Sequence, residues 1–414
     1  MKASKTLWHG VDTAKVGYLV DWPQEFTQTL RSFEQLRAQA QRSANFGHGT
    51  YTQLGEHQFM VRPMGARMMP YAFEGMGMVL FVGNTLVPWG ARRSVTPNVR
   101  IEFQPFSVAR HGLAAVHAYA LGLIAQLGGV CQGNRLSEIH LTCDLQTDRS
   151  HQAADYHTSL EGLWRRVRTR IRSNTQEQQV PTADCGMVCN GTKLKQTNIG
   201  KDKKMLRIYD KILELRVHPD KYFEALNWNE PALAEAIFDR AHPLPPDLAV
   251  MRIEFQLRRE RLLELQISTV EDFLAKQGGL WQHLTEEFVV LINDDDMNRS
   301  RCSTQDWWKV VQQAWSDHPT CELPKRIKPL PDLLKYVDQA MGLFLVIGAR
   351  LGPASELDLT DILSVFQTRW EATHAESWQA IMQAKREQLE VLWADIAARA
   401  SRSADGRSEG QAAL

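Results

Sequence analysis

Apolar residues recur along this chain with two periods, and they alternate between them. Period two is clearest in three segments. In Leu136–Leu145 it places Ile139, Leu141 and Cys143 on one face and His140, Thr142 and Asp144 on the other. In Met205–Lys211 it separates Leu206, Ile208 and Asp210 from Arg207, Tyr209 and Lys211, and in Met251–Arg258 it sets Arg252, Glu254 and Gln256 on one face. Shorter strands are predicted near 16–20, 58–62, 76–82, 99–105, 185–190 and 196–199. The helical period appears after Pro23, with Phe26, Leu30, Phe33 and Leu36 on one side, and again in 112–127, which Gly128-Gly129 ends. Further helices are predicted over 154–172, 230–241, 269–277, 280–292 and 304–314.

The pattern predicts an α+β fold: a curved, mainly antiparallel sheet with helices packed on one face, plus a helical C-terminal region. Prolines 324, 329 and 331 mark a linker at 327–331, with helices beyond it at 332–347, 357–366 and 368–400. The expected regions are therefore 1–98, 99–326, 327–402 and a disordered tail, 403–414. One internal echo stands out. Arg100-Ile101-Glu102-Phe103-Gln104 recurs as Arg252-Ile253-Glu254-Phe255-Gln256, which suggests a sheet built from two similar halves, with chance in two amphipathic strands as the rival.

Composition changes this picture little. The chain has 414 residues, 43% of them hydrophobic, and a formal net charge of zero. The longest apolar run, 112–128, contains His117 and Gln126, falls short of the ~18–20 residues that span a bilayer, and reads as a core helix. The N-terminus has no apolar run of the secretory kind, so a cytoplasmic location and no membrane partner are expected. Six scattered cysteines suit free thiols; Cys185 and Cys189 lack a second Cys/His pair for zinc. Charge is locally uneven: between 161 and 216 there are thirteen Lys/Arg against six Asp/Glu, a distribution that suits a phosphate backbone.

The candidate chemistry sits on the polar strand faces. Tyr209 lies between Arg207 and Lys211, cations that would bind a phosphate and favour the phenolate. Asp144 and Glu254 are carboxylates on predicted central strands and could hold a divalent metal; a salt bridge to an arginine is the plain alternative for each. The chain has no His-x-His pair and no Gly-x-x-x-x-Gly-Lys-Ser/Thr loop, so no ATP-driven helicase domain is expected.

The segment IGKDKKMLRIYDKILEL (199–215) resembles the signature of the replication initiation factors of rolling-circle plasmids and phages, a family that includes relaxases of integrative conjugative elements. IHLTCD (139–144) and MRIEFQLR (251–258) are similar to the strands that flank that signature. The likeness covers roughly residues 100–310; the serine-bearing turn common before the tyrosine strand is replaced here by Gly200-Lys201-Asp202-Lys203. The resemblance implies a DNA endonuclease and strand transferase. Tyr209 would nick one strand at a specific sequence and keep the 5′ phosphate, assisted by Mg²⁺ or Mn²⁺ at Asp144 and Glu254. Arg207, Lys211, Lys203, Lys204 and Arg252 would bind DNA. The implied partners are double-stranded origin DNA and single-stranded DNA, with room for a host helicase and for a homodimer. A DNA-binding replication or copy-control regulator of the same fold, without cutting, is the alternative.

Overall fold

The structure, a computed structural model, describes residues 4–45, 47–84, 96–148, 167–169, 185–190, 193–239, 248–298 and 300–319, together with 323, 368 and 383. The chain divides into two compact units, Met1–Pro329 and Leu330–Leu414. The helices expected after the linker, the tail and most of the 154–172 helix lie outside the described residues.

Among the described residues, an open sheet of eleven strands organises the first unit. In chain order these are β1 (Lys5–Asp21), β2 (Thr50–Leu54), β3 (His57–Val61), β4 (Tyr71–Gly75), β5 (Met78–Val82), β6 (Val99–Phe103), β7 (Val130–Asp148), β9 (Cys185–Asn190), β10 (Lys193–Lys201), β11 (Lys204–Asp210) and β12 (Leu248–Arg258). Their spatial order is β2-β3-β4-β5-β6-β1-β7-β12-β11-β10-β9, and the ladders are antiparallel. A separate pair joins β8 (Val167–Thr169) to β13 (Val289–Leu291).

The alternation read from the sequence decides which face is buried. Ile139, Leu141, Cys143, Ile253, Phe255 and Leu257 are fully buried on one face, in the main core. Helices α1 (Phe26–Ala44), α2 (Pro105–Gln126), α5 (Arg259–Glu264), α6 (Val270–Gln282) and α7 (Asp306–Gln313) contribute Phe33, Val116, Leu262, Phe273 and Trp308 to that core. A smaller core covers one end of the opposite face. There α3 (Lys211–Val217), a 3₁₀ helix (Pro219–Asn227) and α4 (Pro231–Phe238) pack Leu215, Ala225 and Ile237 against Leu7 and Val250. By length and composition α2 could cross a membrane. In the fold it bends at Gly112 (φ 77°) and buries Leu113, Val116, Ala120 and Leu123.

Several expectations change. The sheet runs through the boundary expected at 98/99, because β1 lies between β6 and β7. Residues 167–169, expected inside a helix, form β8, and the helix expected over 280–292 ends in a π-turn (His283–Phe288) followed by β13. The apolar run Val289-Val290-Leu291, with two β-branched valines, finds its partner in β8, a long-range pairing that local periodicity does not reveal. The two Arg-Ile-Glu-Phe-Gln segments are β6 and β12, which flank the central β1–β7 pair symmetrically.

Candidate active site

β11 and β12 bring the polar faces read from the sequence into register. Tyr209 stands opposite Arg252 and Arg207 opposite Glu254; on the other side of β12, Arg252 faces Asp144 of β7. Residues opposed across a ladder share a face, so these side chains and His140 project together.

The hydroxyl of Tyr209 donates to Glu254 Oε2 at 3.1 Å. The Arg207 guanidinium donates to Glu254 Oε1 at 2.6 Å and to Gln256 Oε1 at 2.7 Å. His140 holds Glu254 from behind, with Nδ1 2.9 Å from Oε1, and its Nε2 lies 3.1 Å from Glu138 Oε1. Burial alone would raise the Glu254 carboxyl; the hydrogen bond and charge of His140, with Arg207 and Arg252, instead hold it down to about 2. Burial alone would lower the His140 ring, and Glu138 and Glu254 raise it to about 9. These are one contact seen from two sides and do not add.

The tyrosine corrects an expectation. Burial and the charge of Glu254 push the phenol well above its ordinary value, and Arg252 opposes this without winning. The cations therefore do not yield a resting phenolate.

Arg252 is 1% exposed. It donates to both oxygens of Asp144 at 2.7 and 2.8 Å, to Asp12 Oδ1 at 2.8 Å and to Glu224. Burial works against its charge, and Asp144 and Glu224 more than offset that, so the guanidinium titrates well above its usual range. Asp144 is fully buried and also accepts from the Trp228 indole at 2.8 Å. Asp144 and Arg252 thus form a closed ion pair. The arrangement expected from the sequence, Asp144 and Glu254 converging on one metal with Arg252 on DNA, is not the one the sheet builds.

Lys211 differs as well. The strand stops at Asp210, whose side chain caps α3 by accepting from the Leu213 N–H at 2.9 Å. Lys211 becomes the first residue of α3, fully buried, with Nζ 2.5 Å from Glu214 and 2.6 Å from Glu224. It therefore leaves the strand face shared by Tyr209 and Arg207, yet its Nζ still lies 5.9 Å from the centre of the Tyr209 ring. Lys203 and Lys204 lie at the β10–β11 hairpin tip, roughly 16 Å of strand from Tyr209. Lys203 is exposed there, and Lys204 Nζ lies 3.8 Å from the Phe288 ring centre.

Three site residues escaped the sequence reading: Asp12, Lys221 and Glu224, which accepts from Arg252 and pairs with Lys211. Asp12 sits where the β1–β7 register shifts between Val11 and Thr13, a bulge that re-aims its carboxylate towards Arg252. Its pKa is raised by burial, opposed by Arg252, with Glu254 and Glu224 adding to the rise. Lys221, on the 3₁₀ helix, pairs with Glu214 at 2.6 Å. Asp12 lies at the bulge within β1, and Lys221 and Glu224 lie on the 3₁₀ helix, so no period-two signal marked them.

These groups line an open cleft of about 540 Å³. Its wall carries five carboxylates, Asp12, Asp210, Glu214, Glu224 and Glu254, against three permanent cations, Arg207, Lys221 and Arg252. Asp12 and Glu254 offer oxygen donors of the kind a hard divalent cation takes, but among the described residues no three His/Cys/Asp/Glu ligand atoms converge on this wall.

No family model matches the chain, and no curated protein matches it. Among solved structures, the "Rolling Circle Replication Initiator Protein from Geobacillus stearothermophilus" is similar at a TM-score of 0.37 and 12% identity, over 78% of this chain and 100% of that one. A likeness so loose carries no argument about the site.

Proposed function

We propose that this chain nicks one strand of DNA through Tyr209 and so starts rolling-circle replication or strand transfer of a plasmid- or phage-like element. The observation that carries the reading is a partly buried tyrosine on a sheet strand, its hydroxyl held by Glu254, lining an open cleft with Arg207 and Lys221. The phenol oxygen attacks the phosphorus, the bond to the 3′ oxygen breaks, and the 5′ phosphate stays on Tyr209. The phenol loses one proton and the departing 3′ oxygen gains one.

Magnitudes assign Glu254 its role. Its carboxyl is held down to about 2 while burial and the charge of Glu254 push the phenol well above its ordinary value, so proton transfer from the phenol to this carboxylate is strongly uphill. Glu254 therefore aligns the hydroxyl and does not act as its base. A divalent cation held by Asp12 and Glu254 would lower the phenol's pKa and offset charge on the phosphoryl oxygens. Arg207 turns from Glu254 to the phosphate in this reading. Asp144 positions Arg252, whose charge bears on the phenol, and Lys203 and Lys204 hold the DNA backbone further along.

Two features weigh against cutting and so toward a second reading, DNA binding without cutting: the raised phenol pKa and the acidic wall of the cleft. A single experiment separates the two. A supercoiled plasmid bearing the element's origin is incubated with Mg²⁺ or Mn²⁺ and either wild type or Tyr209→Phe. Nicked circles carrying bound protein, lost in the variant and with EDTA, support the nickase. Tight binding to intact DNA in both would support the regulator.

A further inference from the structure

A second group of metal-ligating side chains lies on the other face of β1. His9 follows Trp8, whose ring lies near Arg252 (5.5 Å to the guanidinium carbon), so alternation turns His9 to the side away from Tyr209. There it meets the segment after α7. His9 Nε2 lies 3.1 Å from Asp317 Oδ1, and His318 Nε2 lies 3.9 Å from the same oxygen. One donor atom from each residue falls within 4.8 Å of the others, and no other His/Cys/Asp/Glu trio among the described residues does so.

We propose that His9, Asp317 and His318 bind a zinc-class divalent cation, with water at a fourth position. In a tetrahedral zinc site with bonds of about 2.0–2.1 Å, neighbouring ligand atoms are about 3.4 Å apart, between the two separations found here. The backbone that carries two of the ligands is fixed independently. The Trp315 indole donates to the Thr142 carbonyl at 3.2 Å and stacks on Trp281 at 5.5 Å. The Gly278 N–H donates to the Pro319 carbonyl at 3.2 Å. A Cβ at Gly278 would fall 2.7 Å from that oxygen and 2.8 Å from the His318 carbonyl, so only glycine admits the approach. A cleft of about 410 Å³, lined by His9, Gln313, Ser316 and Asp317 among others, leaves room for the water.

Two imidazoles and one carboxylate select zinc, cobalt or nickel over magnesium. The site is therefore chemically distinct from the all-oxygen set at Asp12 and Glu254. Bound metal would clip β1 to the chain beyond α7, closing a loop of nearly the whole first unit.

The test is calorimetric titration of the full, EDTA-stripped and dialysed chain with Zn²⁺, supported by the visible absorption of Co²⁺. Wild type should take one equivalent tighter than about 1 µM. Asp317→Ala and His318→Ala should each weaken binding about 100-fold, with circular dichroism unchanged because Asp317 is 66% and His318 28% exposed. Glu254→Gln should bind as wild type. Absence of a tight equivalent, wild-type affinity in the Asp317→Ala/His318→Ala double variant, or loss in Glu254→Gln would each overturn the proposal.

Discussion

Arg252 shows how a single residue decides the character of the site. It lies among Asp12, Asp144 and Glu224 with no exposed surface to speak of, so its removal leaves three carboxylates facing one another in a low-dielectric pocket. Arg252→Met should cost about 3–5 kcal/mol in denaturant unfolding, and a loss below ~1 kcal/mol would mean that the carboxylates find water or each other's protons easily. His140 gives a pH signature. Its folded pKa of about 9 lies above the unfolded 6.5, so its stabilisation is complete below pH 6.5 and lost as pH rises through 9. That window is worth roughly 3 kcal/mol. Unfolding measured from pH 6.5 to 9.5 should show the decline in wild type and a much flatter profile in His140→Gln. The phenol adds a kinetic counterpart: nicking should quicken about tenfold per pH unit through pH 7–9, and a plateau below pH 8 would contradict a protonated resting Tyr209. At this scale the sequence was half legible. The strand period put Tyr209, Arg207 and Glu254 on one face, where they meet. The sequence offered a salt bridge to an arginine as the alternative for Asp144, which is the outcome, but could not name Arg252, because that depends on a 108-residue separation closed by β7–β12 pairing.

Among elements, the β10–β11 hairpin carries the tyrosine and sets its register. Gly200 adopts φ +90°, and a Cβ there would lie 2.6 Å from the Lys204 carbonyl. Gly200→Ala should destabilise by about 1–3 kcal/mol and slow nicking with it, since Gly200 pairs with Met205 and Gln196 with Tyr209 in one ladder. Thermal unfolding and nicking assays on the same preparation check both halves, and an unchanged midpoint would refute the claim. The segment 199–211 was readable as turn plus strand, and its end was misplaced by one residue with large consequences. Asp210 is both a good strand residue and a good helix cap, and capping won, which swung Lys211 out of the strand and into a buried ion pair. Asp12 was invisible for the opposite reason: a bulge leaves no periodic trace.

Over the first unit as a whole, the sheet reads as two similar halves meeting at β1 and β7. Arg100 and Glu102 in β6 correspond to Arg252 and Glu254 in β12. The residue facing Arg100 is Phe81, whose ring lies 4.4 Å from the guanidinium carbon, where Tyr209 faces Arg252. Only the second half thus sets a tyrosine opposite the arginine, although both present the arginine and the glutamate. The echo between the two strands was legible in five letters; the sheet order that gives it meaning was not, because the first half inserts four strands before β6. The central claim, covalent capture of DNA by Tyr209, is tested most directly by mapping the adduct. The full chain is incubated with a single-stranded origin oligonucleotide and Mn²⁺, digested, and analysed by mass spectrometry. The account predicts a nucleotide 5′-phosphate on Tyr209 and a fall of at least ~1,000-fold in cleavage for Tyr209→Phe. An adduct on another residue, or cleavage that survives the substitution, would contradict it.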